Sequence, residues 1–141
     1  MNKRKSYHTK QKALILDCLR AYMGRHATAE RIGQYLREKG APVGVTTLYR
    51  NLDHLVESGA VLKYIMPKGA GACYQLLGQP VDYSKYHYLI CIACGRVIPL
   101  HCSYFEGVRT YIRDKYRFIL GCSKTILYGY CGDCASEENG P

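Results

Sequence analysis

Apolar residues at positions 13, 14, 15, 16, 18, 19 and 22 share one broad side of a helix over residues 10–23, and Gly24 suits its end. Thr28 predicts the N-cap of a second helix running to about Lys39, with Ile32, Tyr35 and Leu36 on one side. Gly40 stops it and Pro42 bars continuation. A third helix is predicted from near Thr46 to just before Gly59, with Leu48, Leu52, Leu55 and Val56 as one buried stripe. Two β-capable runs follow, Ala60 to Met66 and Ala72 to Leu77. Between them lies Pro67-Lys68-Gly69-Ala70-Gly71, so they predict a hairpin. Three helices and a hairpin are the layout of a winged helix-turn-helix, whose last helix enters the major groove of DNA.

Gly78-Gln79-Pro80 reads as a hinge. Beyond it, Tyr86 to Ile92 and Arg96 to Leu100 are strand-like. Ser103 is placed to cap a helix through about Tyr116, with Phe105, Val108, Tyr111 and Ile112 as its apolar stripe. Thr125-Ile126-Leu127-Tyr128 is a further strand, and Ala135 to Pro141 is a polar acidic tail expected to fray. No internal repeat or low-complexity segment interrupts this order.

Chemistry enters through the cysteines. Cys91-Ile-Ala-Cys94 and Cys131-Gly-Asp-Cys134 are two C-x-x-C pairs, and four thiols so grouped are a tetrahedral Zn2+ set. Residues 95–130 separate the pairs, a longer gap than the roughly 15–20 residues of a simple zinc ribbon. The metal would therefore staple the end of a small domain to its middle. Two independent redox dithiols, or buried cysteines packed as small apolar groups, are the alternatives. The predicted fold class is α+β. Residues 1–80 form a winged-helix DNA-binding domain, and residues 81–141 form a small α/β, zinc-stapled dimerisation domain.

Charge divides the chain at the same place. Residues 1–80 hold 13 Lys+Arg and 5 Asp+Glu, a net +8, whereas residues 81–141 hold 7 and 6, a net +1. A basic half joined to a near-neutral half fits a nucleic-acid-binding module with a partner domain. Its reading face is the solvent side of the third helix: Thr46, Thr47, Tyr49, Arg50, Asp53 and His54. Arg reads guanine edges or holds phosphate, Tyr meets phosphate or a thymine methyl, and the helix start with its Thr hydroxyls favours phosphate. Two such heads need a symmetric link to read a palindromic double-stranded operator, which predicts a homodimer.

No apolar run reaches about 18 residues, so no membrane span is expected. The apolar stretch from Ala13 to Leu19 is broken by Asp17 and lacks a small-residue cleavage site, so it is not read as a secretion signal. A reducing cytoplasmic location follows, where eight cysteines point to metal rather than disulfides. With no nucleophile–base pair or Gly-rich phosphate loop, an enzyme is not expected.

Three blocks of sequence together resemble the ferric uptake regulator (Fur) family of metal-responsive bacterial repressors. They are Gly44-Val45-Thr46-Thr47-Leu48-Tyr49-Arg50-Asn51-Leu52, the run from His87 to Ile98 around Leu89-Ile90-Cys91-Ile92-Ala93-Cys94-Gly95, and Tyr128-Gly129-Tyr130-Cys131-Gly132-Asp133-Cys134. The resemblance implies structural zinc at Cys91, Cys94, Cys131 and Cys134. It also implies DNA contacts by Tyr49 and Arg50, and by Lys12 where an arginine near the backbone is usual. His26 and Glu106 match ligands of further metal sites. Tyr86, Tyr88, Gln75 and Ser123 stand where metal-binding histidines or a carboxylate are expected, so the usual sensing site is depleted.

The reading at this stage is a DNA-binding transcriptional regulator, a repressor by resemblance. Its affinity would be set by a second ion (Zn2+, Fe2+ or Mn2+) at a rebuilt site drawn from His26, Cys73, His87, His101, Cys102, Glu106 and Cys122. Soft sulfur among these would favour zinc over iron. A metal-independent or thiol redox-responsive regulator of the same fold is the first alternative. A zinc-stapled thiol oxidoreductase, or a protein-interaction module, is the second. Cys18, on an apolar helix face, reads as core packing.

Overall fold

A computed structural model of the chain describes residues 3–67, 71–77, 86–120 and 125–135. The Gly78-Gln79-Pro80 hinge, residues 68–70 of the hairpin turn, Cys122, Ser123 and most of the acidic tail lie outside them. Two compact units divide between residues 80 and 81.

The first unit contains α1 (Lys3–Ala21), β1 (Ala27–Thr28), α2 (Ala29–Glu38), α3 (Val45–Glu57), β2 (Val61–Ile65) and β3 (Ala72–Leu76). Helix α1 starts at Lys3, seven residues before the helix predicted over residues 10–23. The segment 3–9 is polar, so periodicity carried no signal there. Thr28 caps α2 as its side chain predicts, its hydroxyl accepting from Arg31 N at 3.2 Å. Helix α2 ends in a Schellman motif: Ala41 N donates to Leu36 O at 2.9 Å and Gly40 N to Arg37 O at 3.1 Å. Gly40 sits at φ +74°, where a side chain would be strained. The two-residue β1, too short to predict, pairs antiparallel with β3, giving the sheet order β1-β3-β2.

One core gathers both layers of this unit. Ile15, Cys18 and Leu19 of α1, Ile32 and Leu36 of α2, and Leu48, Leu52 and Leu55 of α3 pack with Val61 and Tyr74 of the sheet. Cys18 is fully buried there, as expected of a packing thiol. Fully burying each such aliphatic side chain contributes about 1.5–3 kcal/mol. This packing presents α3 with its opposite side in solvent.

The second unit contains β4 (Tyr86–Cys91), β5 (Val97–His101), a 3-10 turn (Cys102–Phe105), α4 (Glu106–Tyr116), β6 (Ile126–Gly129) and α5 (Gly132–Ala135). Strand β4 is central, antiparallel to β5 and parallel to β6. One expectation needs correction. Ser103 does not cap α4: it lies in the 3-10 turn, His101 Nδ1 accepts from its N–H at 3.2 Å, and α4 begins at Glu106. The apolar stripe of α4 lies largely in solvent. No residue of α4 is buried, and Val108 and Tyr111 are 43% and 53% exposed. The buried side chains of this unit are few, chiefly His87, Tyr88, Ile90, Cys91 and Cys131.

Candidate metal centre and nucleic-acid interface

The parallel pairing of β4 with β6 puts Cys91 opposite Gly129, so the ends of both strands deliver a C-x-x-C pair to one place. The four Sγ atoms of Cys91, Cys94, Cys131 and Cys134 lie within 4.8 Å of one another. Cys94 Sγ and Cys131 Sγ are 3.8 Å apart. A tetrahedron with metal–sulfur bonds of about 2.3 Å has edges of about 3.8 Å, so the donor set has the size and softness of a zinc site.

Backbone groups organise the sulfurs. Gly95, at φ +86°, closes the first knuckle by donating its N–H to Cys91 O at 3.0 Å. Arg96 N donates to Cys94 Sγ at 3.4 Å and Cys131 N to Cys91 Sγ at 3.3 Å. Burial opposes ionisation of Cys91, but N–H donations from Cys94 and Cys131 outweigh it and hold its pKa down to about 6. Cys134 is pushed up to about 12, first by its hydrogen bond with Cys131 and then by burial. The Cys91 thiolate forms readily and that of Cys134 does not, because the Cys134 proton is held in a hydrogen bond between sulfurs; a divalent cation would displace that proton. Arg96 and Asp133 join the two knuckles across the surface at 3.0 Å.

The other candidate ligands are not assembled. Within either unit, the four cysteines are the only described group of three or more His, Cys, Asp or Glu with ligand atoms brought together. His87 is fully buried, its Nδ1 accepts from Thr125 N at 2.9 Å, and its ring lies 4.8 Å from that of Phe105. Burial lowers its pKa, and Arg109 lowers it further against the opposing pull of Glu106. It is a neutral ring with its proton on Nε2, which is buried and makes no hydrogen bond among the described residues. His101 Nδ1 sits 2.9 Å from Ser103 Oγ and caps the 3-10 turn. Cys73 is buried on β3, and burial raises its pKa, so it is held as a thiol. Cys102 is half-buried in the turn. Glu106 lines a cleft of about 190 Å³ with Arg109, Thr110, Arg113, Ile119 and Leu120. Cys122 lies outside the described residues.

His26 has a partner that sequence inspection missed. Its Nδ1 lies 2.7 Å from Tyr64 Oη, and the same oxygen accepts from Gln75 Nε2 at 2.7 Å. The alternation of β2 and β3 held the clue. Tyr64 pairs with Cys73 and Leu62 with Gln75, so Tyr64 and Gln75 are diagonal neighbours on one face.

The predicted reading residues do share a surface. Thr46, Tyr49 and Arg50 are exposed, Tyr49 by 43%, while Thr47 is half-buried. Val45, at the first position of α3, is 70% exposed. Gly44 supplies no side-chain cap, which leaves the helix start open to an external acceptor. Lys12 is exposed on α1.

The ferric uptake regulator family model matches residues 3–126. The ferric uptake regulation protein of Neisseria meningitidis is 27% identical over 124 residues, covering 87% of this chain and 82% of that protein. That of Escherichia coli K12 is 29% identical over 127 residues, covering 89% and 82%. A zinc uptake regulator solved in complex with zinc and DNA superposes with a TM-score of 0.58 at 22% identity, covering 99% of each chain. Winged-helix and dimerisation domains are the architecture of these structural neighbours, and members of the family are transcription regulators rather than enzymes. The chain belongs to the ferric uptake regulator family.

Proposed function

We propose that this protein is a homodimeric, cytoplasmic transcriptional repressor that binds a palindromic DNA operator and carries structural zinc at Cys91, Cys94, Cys131 and Cys134. The observation that carries the reading is the four-sulfur cluster of the second unit, joined in one chain to a basic winged-helix unit with an exposed α3. No described helix is long and apolar enough to cross a membrane. The aromatic and aliphatic surface of the second unit supports self-association: Tyr104, Phe118 and Ile119 are 78%, 57% and 79% exposed. Affinity rests on Lys/Arg–phosphate contacts, including Lys12, and falls steeply with salt.

Control by a second ion is the family-based reading of the remaining His, Cys and Glu residues. The partners of His87 and His101 favour the alternative, a metal-independent or thiol-responsive regulator, because each uses a ring nitrogen within its own unit.

The test has two parts. Metal content is measured on protein purified without added metal and then titrated with Zn2+, Fe2+ and Mn2+. Operator affinity is followed by gel shift. One tightly held zinc is expected. Arg50→Ala or Tyr49→Ala is expected to weaken operator binding by about 1–3 kcal/mol with zinc and helicity intact. A second ion that raises DNA affinity supports ion control; its absence supports the alternative. Unchanged binding by both variants removes α3 as the reading element.

A further inference from the structure

The side of α3 opposite Leu48, Leu52 and Leu55 carries Thr46, Arg50, Asp53 and Glu57, at i, i+4, i+7 and i+11. Asp53 stands one turn beyond Arg50, both exposed. At this spacing an Arg and an Asp are neighbours on the helix surface, close enough to pair. Among the described residues, neither side chain makes an ion pair. A cationic donor and an anionic acceptor thus stand side by side, about 4.5 Å apart along the helix axis, with neither neutralising the other.

A carboxylate on a face that approaches phosphates weakens binding to every sequence alike. It contributes directly to sequence choice where it meets a hydrogen-bond donor on a base edge. In the major groove the donor matched to an acceptor-only carboxylate is the N4 amino group of cytosine, whereas Arg matches the paired acceptors of guanine. We propose that Asp53 is a specificity-determining residue that accepts from cytosine N4 next to the base pair read by Arg50, and so selects against other bases at that position. The inference rests on the reading of α3 as the DNA-reading helix.

A second role for Asp53 lies nearby. Tyr74 is fully buried with its hydroxyl unpartnered, and the negative charge of Asp53 bears on it. A carboxylate that served only this hydroxyl would affect stability and not sequence choice.

The full-length protein, Asp53→Ala and Asp53→Asn are each used to select from a pool of duplexes with a randomised central segment, with metal supplied as Zn2+, Fe2+ or Mn2+. Wild type is expected to enrich a C·G pair at one position of each half-site. Asp53→Ala is expected to lose about tenfold of that preference and keep the rest of the site. Asp53→Asn, which retains the shape and adds a donor, is expected to move the preference toward adenine. Melting temperatures of both variants accompany the selection. A selected sequence unchanged in Asp53→Ala, with or without a lower melting temperature, overturns the role of Asp53 and leaves α3 as the reading helix. Recovery of no sequence by wild type overturns both.

Discussion

Tyr64 Oη stands 2.7 Å from His26 Nδ1 and takes a second hydrogen bond from Gln75 at the same distance. The rings of His26 and Tyr64 also meet edge to face, with centroids 5.6 Å apart. One phenol therefore ties the loop after α1 to both strands of the wing. Tyr64 and Gln75 are 2% and 3% exposed, so water does not replace the hydroxyl when it is removed. Tyr64→Phe is expected to destabilise the first unit by about 1–3 kcal/mol in urea unfolding, since the buried Gln75 amide loses its acceptor. Zinc content should stay at the wild-type value. A Tyr64→Phe protein as stable as wild type would show that the contact contributes nothing net.

Removing one sulfur should do more damage than removing any single surface contact. The second unit buries few side chains, so bound zinc would supply much of its folding free energy. Cys131→Ser is expected to abolish bound zinc and melt the second unit, leaving the helical signal of α1, α2 and α3. In wild type, Cys91, Cys94, Cys131 and Cys134 should resist alkylation until chelator is added. Mass spectrometry of the alkylated protein reads this directly. Alkylation of all four without chelator would rule out the zinc centre and leave a reactive dithiol in its place.

Elements driven by local chemistry could be read before any coordinates. Thr28 and Gly40 bound α2 through capping bonds that depend on side-chain type alone, and the Leu48–Leu52–Leu55 stripe fixed which side of α3 faces solvent. The cysteine cluster was legible because C-x-x-C spacing is itself the geometry of two tetrahedral corners. What stayed hidden depends on contacts distant in sequence. His87 and Thr125 are 38 positions apart, as are His26 and Tyr64, so no local pattern shows that these histidines are engaged. The exposure of the α4 stripe stayed hidden for a related reason. Apolar periodicity reports that a face is to be covered, not whether this chain or a second copy covers it.

High pH should weaken the first unit at a defined point. Burial pushes the Cys18 thiol from 9.0 up to about 11. A group whose folded pKa is raised adds stability that is complete below its unfolded pKa and is lost as pH rises through the folded value. The loss therefore begins near pH 9 and ends near pH 11, with an upper bound of about 3 kcal/mol. Tyr74, raised from 10.0 to about 12 by burial, then by Asp53, Tyr49 and Cys73, extends the decline. Cys18→Ala should cost stability at neutral pH through lost packing, yet flatten the slope between pH 9 and 11 in denaturant titrations. Parallel slopes for variant and wild type would mean the thiol is not the titrating group.

Acid should act on the second unit through His87. Its folded pKa lies below the usual 6.5, so the neutral ring contributes stability above that value, lost as pH falls through the folded pKa. Protonation places a hydrogen on Nδ1, which faces the Thr125 N–H at 2.9 Å, and turns an acceptor into an opposing donor. Because Thr125 leads into β6, the bond between these residues helps hold β6 against β4. Hydrogen exchange at Thr125 and along Ile126–Gly129, corrected for intrinsic rates, should accelerate in wild type as pH falls below 6.5. His87→Asn keeps an acceptor near the position of Nδ1 but cannot take up a proton, so its protection should be nearly independent of pH. Zinc content is followed over the same range, because protonation of Cys91, with a pKa of about 6, competes with metal there. Loss of zinc before loss of Thr125 protection, at the same pH in both proteins, would assign the acid response to the sulfur cluster instead. Retained zinc with Thr125 opening in wild type alone would assign it to His87.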